Sequence, residues 1–172
     1  MKEKIKVKLD SIKNHMKGPC FRIYCDDKML VEYLDYQKES YEGVFELDLA
    51  KGSHRLIIEH FNKSPKDTIN GMDVATQLTD ISFNGIKCDQ VDLHENYFHT
   101  ADWPYEVEDR IKNNLYFGYN GKYVYEFECP ATSYVLEQKK RHQKNLTDVE
   151  HFEITEQQFI DRLEQYMKSE SH

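Results

Sequence analysis

Apolar and polar positions alternate strictly along residues 4–9, K-I-K-V-K-L, which places Ile5, Val7 and Leu9 on one face and lysines on the other. A period of two marks a half-buried strand. The pattern recurs down the chain. Residues 20–26 give a second predicted strand, ended by a turn at Asp26-Asp27. Residues 28–35 give a third, apolar on both faces and so expected at the centre of a sheet. Residues 43–49 bring Phe45, Leu47 and Leu49 inward, Lys51-Gly52 turns the chain, and residues 54–62 carry Leu56, Ile57, Ile58 and Phe61. After a loop over 63–76 with Pro65 and Asn70-Gly71, residues 77–83 read as a strand and Asn84-Gly85 as a hairpin turn. Residues 86–98 read as broken strand, and 100–114 as irregular.

The clearest local pattern is LYFGYNGKYVYEFECPATSYVL, residues 115–136. Asn120-Gly121 predicts the tight turn of a hairpin, because both residues tolerate positive φ. Beyond it Tyr123, Tyr125 and Phe127 alternate with Lys122, Glu126 and Glu128, and Pro130 stops the strand for want of an N–H.

Helical spacing appears only after this point. Residues 133–144 predict one helix. Thr155-x-x-Gln158 is a capping box for another over 155–168. Its stripe of Phe159, Ile160, Leu163, Tyr166 and Met167 must be buried, either on its own sandwich or, as the polar tether 138–148 favours, on a partner. The pattern predicts a mainly β fold: an antiparallel β-sandwich of jelly-roll type over residues 1–136, with a C-terminal helical extension over 137–172.

Composition agrees with this reading. Only 39% of the 172 residues are hydrophobic, but aromatics reach 13%, with twelve Tyr and nine Phe, which suit pleated strands. The net charge of −8 disfavours a nucleic-acid binder, which needs a basic stripe to neutralise phosphates. The lysines of residues 2–8 read as the wet face of an edge strand. Cys20, Cys25, Cys88 and Cys129 fall in no zinc spacing and read as reduced, semi-buried thiols. There is no apolar leader and no membrane-length run, so a cytoplasmic site of synthesis and no membrane partner are expected.

Nothing in the sequence marks a catalytic centre. There is no G-x-S-x-G elbow, HExxH or P-loop, so no enzyme activity is expected. His54 and His60 share a strand face but stand too far apart to hold one metal, and read as surface or core histidines. Asp67, Asn70 and Asp73 offer oxygen ligands on the 63–76 loop and suit Ca²⁺, while the same residue types also serve as turn formers. Tyr97, Trp103 and Tyr105, beside Phe98, form the candidate ligand surface. Their rings can stack on sugars or anchor an interface, and can equally plug an end of the sandwich.

Two stretches resemble known families. Gly52, His54, Phe61, Asn62, Asp73, Ile81, Asn84 and Gly85 follow the outline of small carbohydrate-binding β-sandwich modules of the calcium-dependent xylan-binding type. Lys63 stands where such modules often carry Asp, and Val74-Ala75 replaces a polar pair. This resemblance implies a glycan ligand and Ca²⁺ as the one cofactor. Phe117-Gly118-Tyr119-Asn120-Gly121, Pro130 and Tyr134-Val135-Leu136 are similar to a pattern in small structural proteins of tailed bacteriophages, particularly those infecting cyanobacteria. That resemblance implies a virion component made in a host cytoplasm, a decoration, neck or tail accessory that contacts itself or other virion proteins. The leading expectation is therefore a non-catalytic virion accessory. The alternative is a module recognising host-surface glycan.

Overall fold

The computed structural model describes residues 1–95 and 115–144. Among these residues nine strands run in chain order: β1 (Lys2–Ile12), β2 (Cys20–Cys25), β3 (Lys28–Tyr33), β4 (Ser40–Asp48), β5 (Gly52–Phe61), β6 (Ala75–Phe83), β7 (Ile86–Lys87), β8 (Tyr116–Phe117) and β9 (Gly121–Cys129). A 3₁₀ turn, Pro65–Asp67, lies between β5 and β6, and a short helix α1 (Gln90–Glu95) follows β7. Residues 131–144 are helical.

The strands form two antiparallel sheets, ordered β4-β1-β6-β7, with β8 also on β6, and β3-β2-β5-β9. Their inner faces share one core, as expected of a sandwich. Ile5, Val7, Leu9, Leu78, Ile81 and Phe83 come from the first sheet, and Phe21, Ile23, Leu56, Ile58, Tyr123, Tyr125 and Phe127 from the second. Aromatic rings make the contacts across the layers. Phe83 meets Phe127 at 4.6 Å between centroids, Phe21 meets Tyr41 at 5.2 Å, and Phe117 meets Tyr123 at 6.0 Å. Burying each large side chain is worth about 1.5–3 kcal/mol, so rings offset the scarcity of aliphatic residues. In β6 the register slips opposite Lys8/Leu9, so that Lys8 faces Asp80 and Leu9 faces Leu78. The extra residue, Thr79, lets Leu78 and Ile81 both point inward despite their odd spacing.

Several expected features are present. Asn84 and Gly85 take φ of 51° and 84° and close the tight turn between β6 and β7. Asp26 takes φ 52° and begins the turn from β2 to β3. The helix at 131–144 matches the one expected after Pro130, with Ala131 and Val135 buried in the core. All four cysteines are buried and none forms a disulfide. The expected helix carrying Phe159, Ile160, Leu163, Tyr166 and Met167 falls outside the described residues.

Four expectations are corrected. The lysine-faced β1 is central, flanked by β4 and β6, so its lysines are the wet face of an inner strand. β3 is an edge strand. Among the described residues it pairs only with β2, and it leaves Met29 52% exposed, because apolarity on both faces does not decide how many neighbours a strand has. The stretch after β7 forms α1 rather than continuing as strand.

The fourth correction concerns Asn120-Gly121, which does not close a hairpin. β8 pairs with β6 in one sheet and β9 with β5 in the other, so the chain crosses between layers here. Neither Asn120 nor Gly121 has positive φ. The Asn120 side chain is used elsewhere: its Oδ1 accepts from the Lys63 backbone N–H at 2.7 Å, and its Nδ2 donates to the Lys63 carbonyl at 3.0 Å. That pair of bonds mimics a rung of a strand ladder and competes with a local turn.

Candidate functional site

Two polar constructions stand out, a surface groove at one end of the β3-β2-β5-β9 sheet and the loop between β5 and β6.

The groove encloses about 530 Å³ and is lined by Asp26, Ser53, His54, Arg55, Glu126, Phe127, Glu128 and Tyr134. Strand alternation builds it. Arg55 lies opposite Glu126, and Ser53 opposite Glu128, so four polar side chains of β5 and β9 share the outer face. Tyr134 forms a wall from the helix and is fixed there, since its hydroxyl donates to the Glu126 carbonyl at 3.1 Å.

At the groove's other side Asp26 extends the β2–β5 pairing. Its backbone N–H donates to the Arg55 carbonyl, and its Oδ1 accepts from the Arg55 N–H. Oδ2 of Asp26 lies 2.8 Å from Nδ1 of His54, whose Nε2 lies 2.9 Å from the Ala50 carbonyl. Both ring nitrogens therefore face acceptors and both donate when the ring is protonated. The Asp26 hydrogen bond accordingly raises the His54 pKa above its ordinary value. Burial pushes Asp26 upward, but the bonds from His54 and the Arg55 amide outweigh it and hold the carboxyl below the usual range. This pair is committed to structure. By contrast, no partner holds the Arg55 guanidinium, the Ser53 hydroxyl or the Glu126 and Glu128 carboxylates among the described residues.

The loop is organised by two lysines. Lys17 Nζ lies 2.5 Å from the Asn62 carbonyl and 2.9 Å from Oδ2 of Asp67. Lys63, with its side chain 3% exposed, places Nζ 2.5 Å from Oδ1 of Asp73 and donates also to the Gly118 carbonyl. Asp73 further accepts from Thr68 Oγ1 and the Val74 N–H at 2.9 Å, and from the Tyr116 hydroxyl at 2.7 Å. Burial acts to raise the Asp73 pKa, but Lys63 and these donors bring it below the usual value. Asn14 ties the β1–β2 turn to the loop through a 2.6 Å bond to the Asp67 carbonyl.

Of the residues expected to bind metal, Asp67 and Asp73 thus receive lysines at opposite ends of the loop. Asn70 sits exposed at the tip with φ 52°, beside Gly71, in the turn bridged by Ile69 and Met72. Among the described residues no three His, Cys, Asp or Glu side chains come together to hold a metal ion. Tyr97, Trp103 and Tyr105 lie outside the described residues. Sequence reasoning missed the groove. Its one local signal was the outward alternation of Glu126 and Glu128, and nothing local connects these to Asp26 or Arg55. No described helix is long and apolar enough to cross a membrane.

No family model matches the sequence, and no curated protein matches it either. Among solved structures, the chain is similar to vCBM60 in complex with galactobiose, at 12% identity and a TM-score of 0.46, over 71% of this chain and 96% of that one. It is also similar to the selenomethionine form of vCBM60, described with two families of calcium-dependent carbohydrate-binding modules linked by circular permutation. That match has 12% identity and a TM-score of 0.44, over 72% of this chain and 89% of the other.

Proposed function

We propose that the sandwich is a non-catalytic binding module whose groove, over Ser53, Arg55, Glu126, Glu128 and Tyr134, takes carbohydrate. The observation that carries this reading is the set of uncommitted polar groups around one fixed aromatic ring. A sugar presents hydroxyls that both donate and accept, on a ring with an apolar face. Glu126 and Glu128 accept, Arg55 donates up to five bonds, and Ser53 does either. Tyr134 offers ring surface whose position is already set, which lowers the ordering cost on binding. A volume near 530 Å³ lies within the range of small-ligand sites, roughly 300–1,000 Å³. The virion role expected from the sequence rested partly on residues 117–121, which here are spent on crossing between sheets. The fold adds no support to that role.

The test is a nuclear magnetic resonance titration of the full chain with a panel of disaccharides, galactobiose among them, with product analysis of the mixture. The expected result is saturable shifts at Arg55, Glu126 and Tyr134, lost in Arg55→Ala and Tyr134→Ala, with every sugar recovered uncleaved. Shifts confined to other residues, or none at millimolar sugar, overturn the groove reading. Cleavage overturns the non-catalytic one.

A further inference from the structure

We propose that the Lys63 ammonium is the resident cation of the β5–β6 loop, gathering with its own charge the carboxylate and carbonyl oxygens that a divalent ion would gather. The donor set is the starting point. Asp73 Oδ1 and the Gly118 carbonyl, both bonded to Lys63 Nζ, are the oxygen types that bind Ca²⁺. They come from segments 45 residues apart in sequence, and joining such segments is what structural cations do. Here the joining charge is covalently attached to the chain.

The residues present do not fit a metal as well. Asp73 Oδ1 already accepts from Lys63, Thr68 and the Val74 amide, and Oδ2 from Tyr116. A divalent ion on Oδ1 would crowd a second cation against an ammonium whose side chain is 3% exposed, with little water between to screen them. Removing the ammonium instead would leave the Asp73 carboxylate uncompensated in a partly buried site. Lys17 repeats the arrangement at the loop's other end, bridging the Asn62 carbonyl and Asp67. Both acidic residues of the loop that could have served Ca²⁺ are thus met by lysine. This inference is independent of the groove and holds whether or not sugar binds there.

The test uses the full chain. Native acetylation followed by peptide mass spectrometry should modify Lys63 far more slowly than the exposed Lys28, equally in excess EDTA and in millimolar CaCl₂. The wild-type melting temperature should be the same in both solutions. Lys63→Met should lower it by roughly 10 °C. The proposal is overturned if Lys63 is modified as fast as Lys28, if CaCl₂ raises and EDTA lowers the wild-type melting temperature, or if Lys63→Met melts with the wild type. Should Lys63→Met fail to fold, the labelling and chelation of the wild type decide.

Discussion

Nδ1 of His60 donates to the carbonyl of Tyr119 across 2.7 Å, tying the end of β5 to the point where the chain passes from one sheet to the other. The ring is 1% exposed and its Nε2 has no hydrogen-bond partner among the described residues. Burial, joined by the charges of Lys63 and Lys17, outweighs the Tyr119 carbonyl and Asp73 and lowers its pKa to about 4. The folded state therefore holds His60 neutral, while the unfolded chain takes up a proton near 6.5. Stability from this group is full above 6.5 and is lost as pH falls toward 4, by about 3 kcal/mol. Urea denaturation at a series of pH values should show this loss, and His60→Gln should flatten it. An equal acid slope in the variant would assign it to other groups.

The His54–Asp26 pair acts in the opposite sense on the alkaline side. His54, raised above 6.5 by Asp26, contributes fully below 6.5 and loses its contribution as pH rises through the raised value. Asp26, held below 3.8 despite burial, contributes above 3.8 and loses its share only as pH falls through the lowered value. In Asp26→Asn, the His54 titration followed by nuclear magnetic resonance should move back toward 6.5. A titration unmoved by the substitution would show that the pair is not formed in solution.

Much of the fold could be read from the chain, and the reason is physical. Alternation along 4–9 or 121–129 reports which face is wet, and that is decided residue by residue. Likewise Asn84-Gly85 needs nothing beyond its own φ preferences. Neighbours are another matter. Whether β1 or β3 lies inside a sheet depends on strands far away in sequence, and the same run of residues suits either place. Asn120-Gly121 misleads for a related reason, since its turn-forming side chain found better bonds on Lys63. The groove was hidden because it draws on the β2–β3 turn, two strands and a helix, and the loop lysines because a charged side chain gives no sign in sequence of the carboxylate it will meet.

Truncating the ring that joins the layers should be expensive. Phe83 is fully buried and lies against Phe127 at 4.6 Å and Tyr125 at 6.0 Å. Phe83→Ala should cost about 3–5 kcal/mol in chemical denaturation, and Phe83→Leu clearly less. A cost below about 1 kcal/mol would mean that the layers do not meet through this residue.

Asn120→Ala should cost about 1–3 kcal/mol, because the Lys63 N–H and carbonyl each lose a partner. Asn120→Asp keeps the acceptor and loses the donor, so denaturation curves should place it between wild type and Asn120→Ala.

The thiols should be silent in the native protein. All four are buried, and burial pushes Cys25 up to about 12, so the reactive thiolate is scarce at neutral pH. Ellman's reagent should titrate four thiols after denaturation and almost none before. Rapid reaction of the native protein would contradict the burial.

The central position of β1 sets a timetable for synthesis. β1 is made before either of its neighbours, β4 and β6, and β5 likewise waits for β9. Neither sheet can be completed by the residues already made. The nascent chain carries Ile5, Val7, Leu56 and Ile58 with a bare flank until Ala75–Phe83 and then Gly121–Cys129 emerge. Pairings so distant in sequence fold slowly and leave strand edges open to other chains meanwhile. A stalled chain released after β5 should therefore aggregate, whereas one released after β9 should hold both sheets, which places the hazard for this protein in the interval of its own translation.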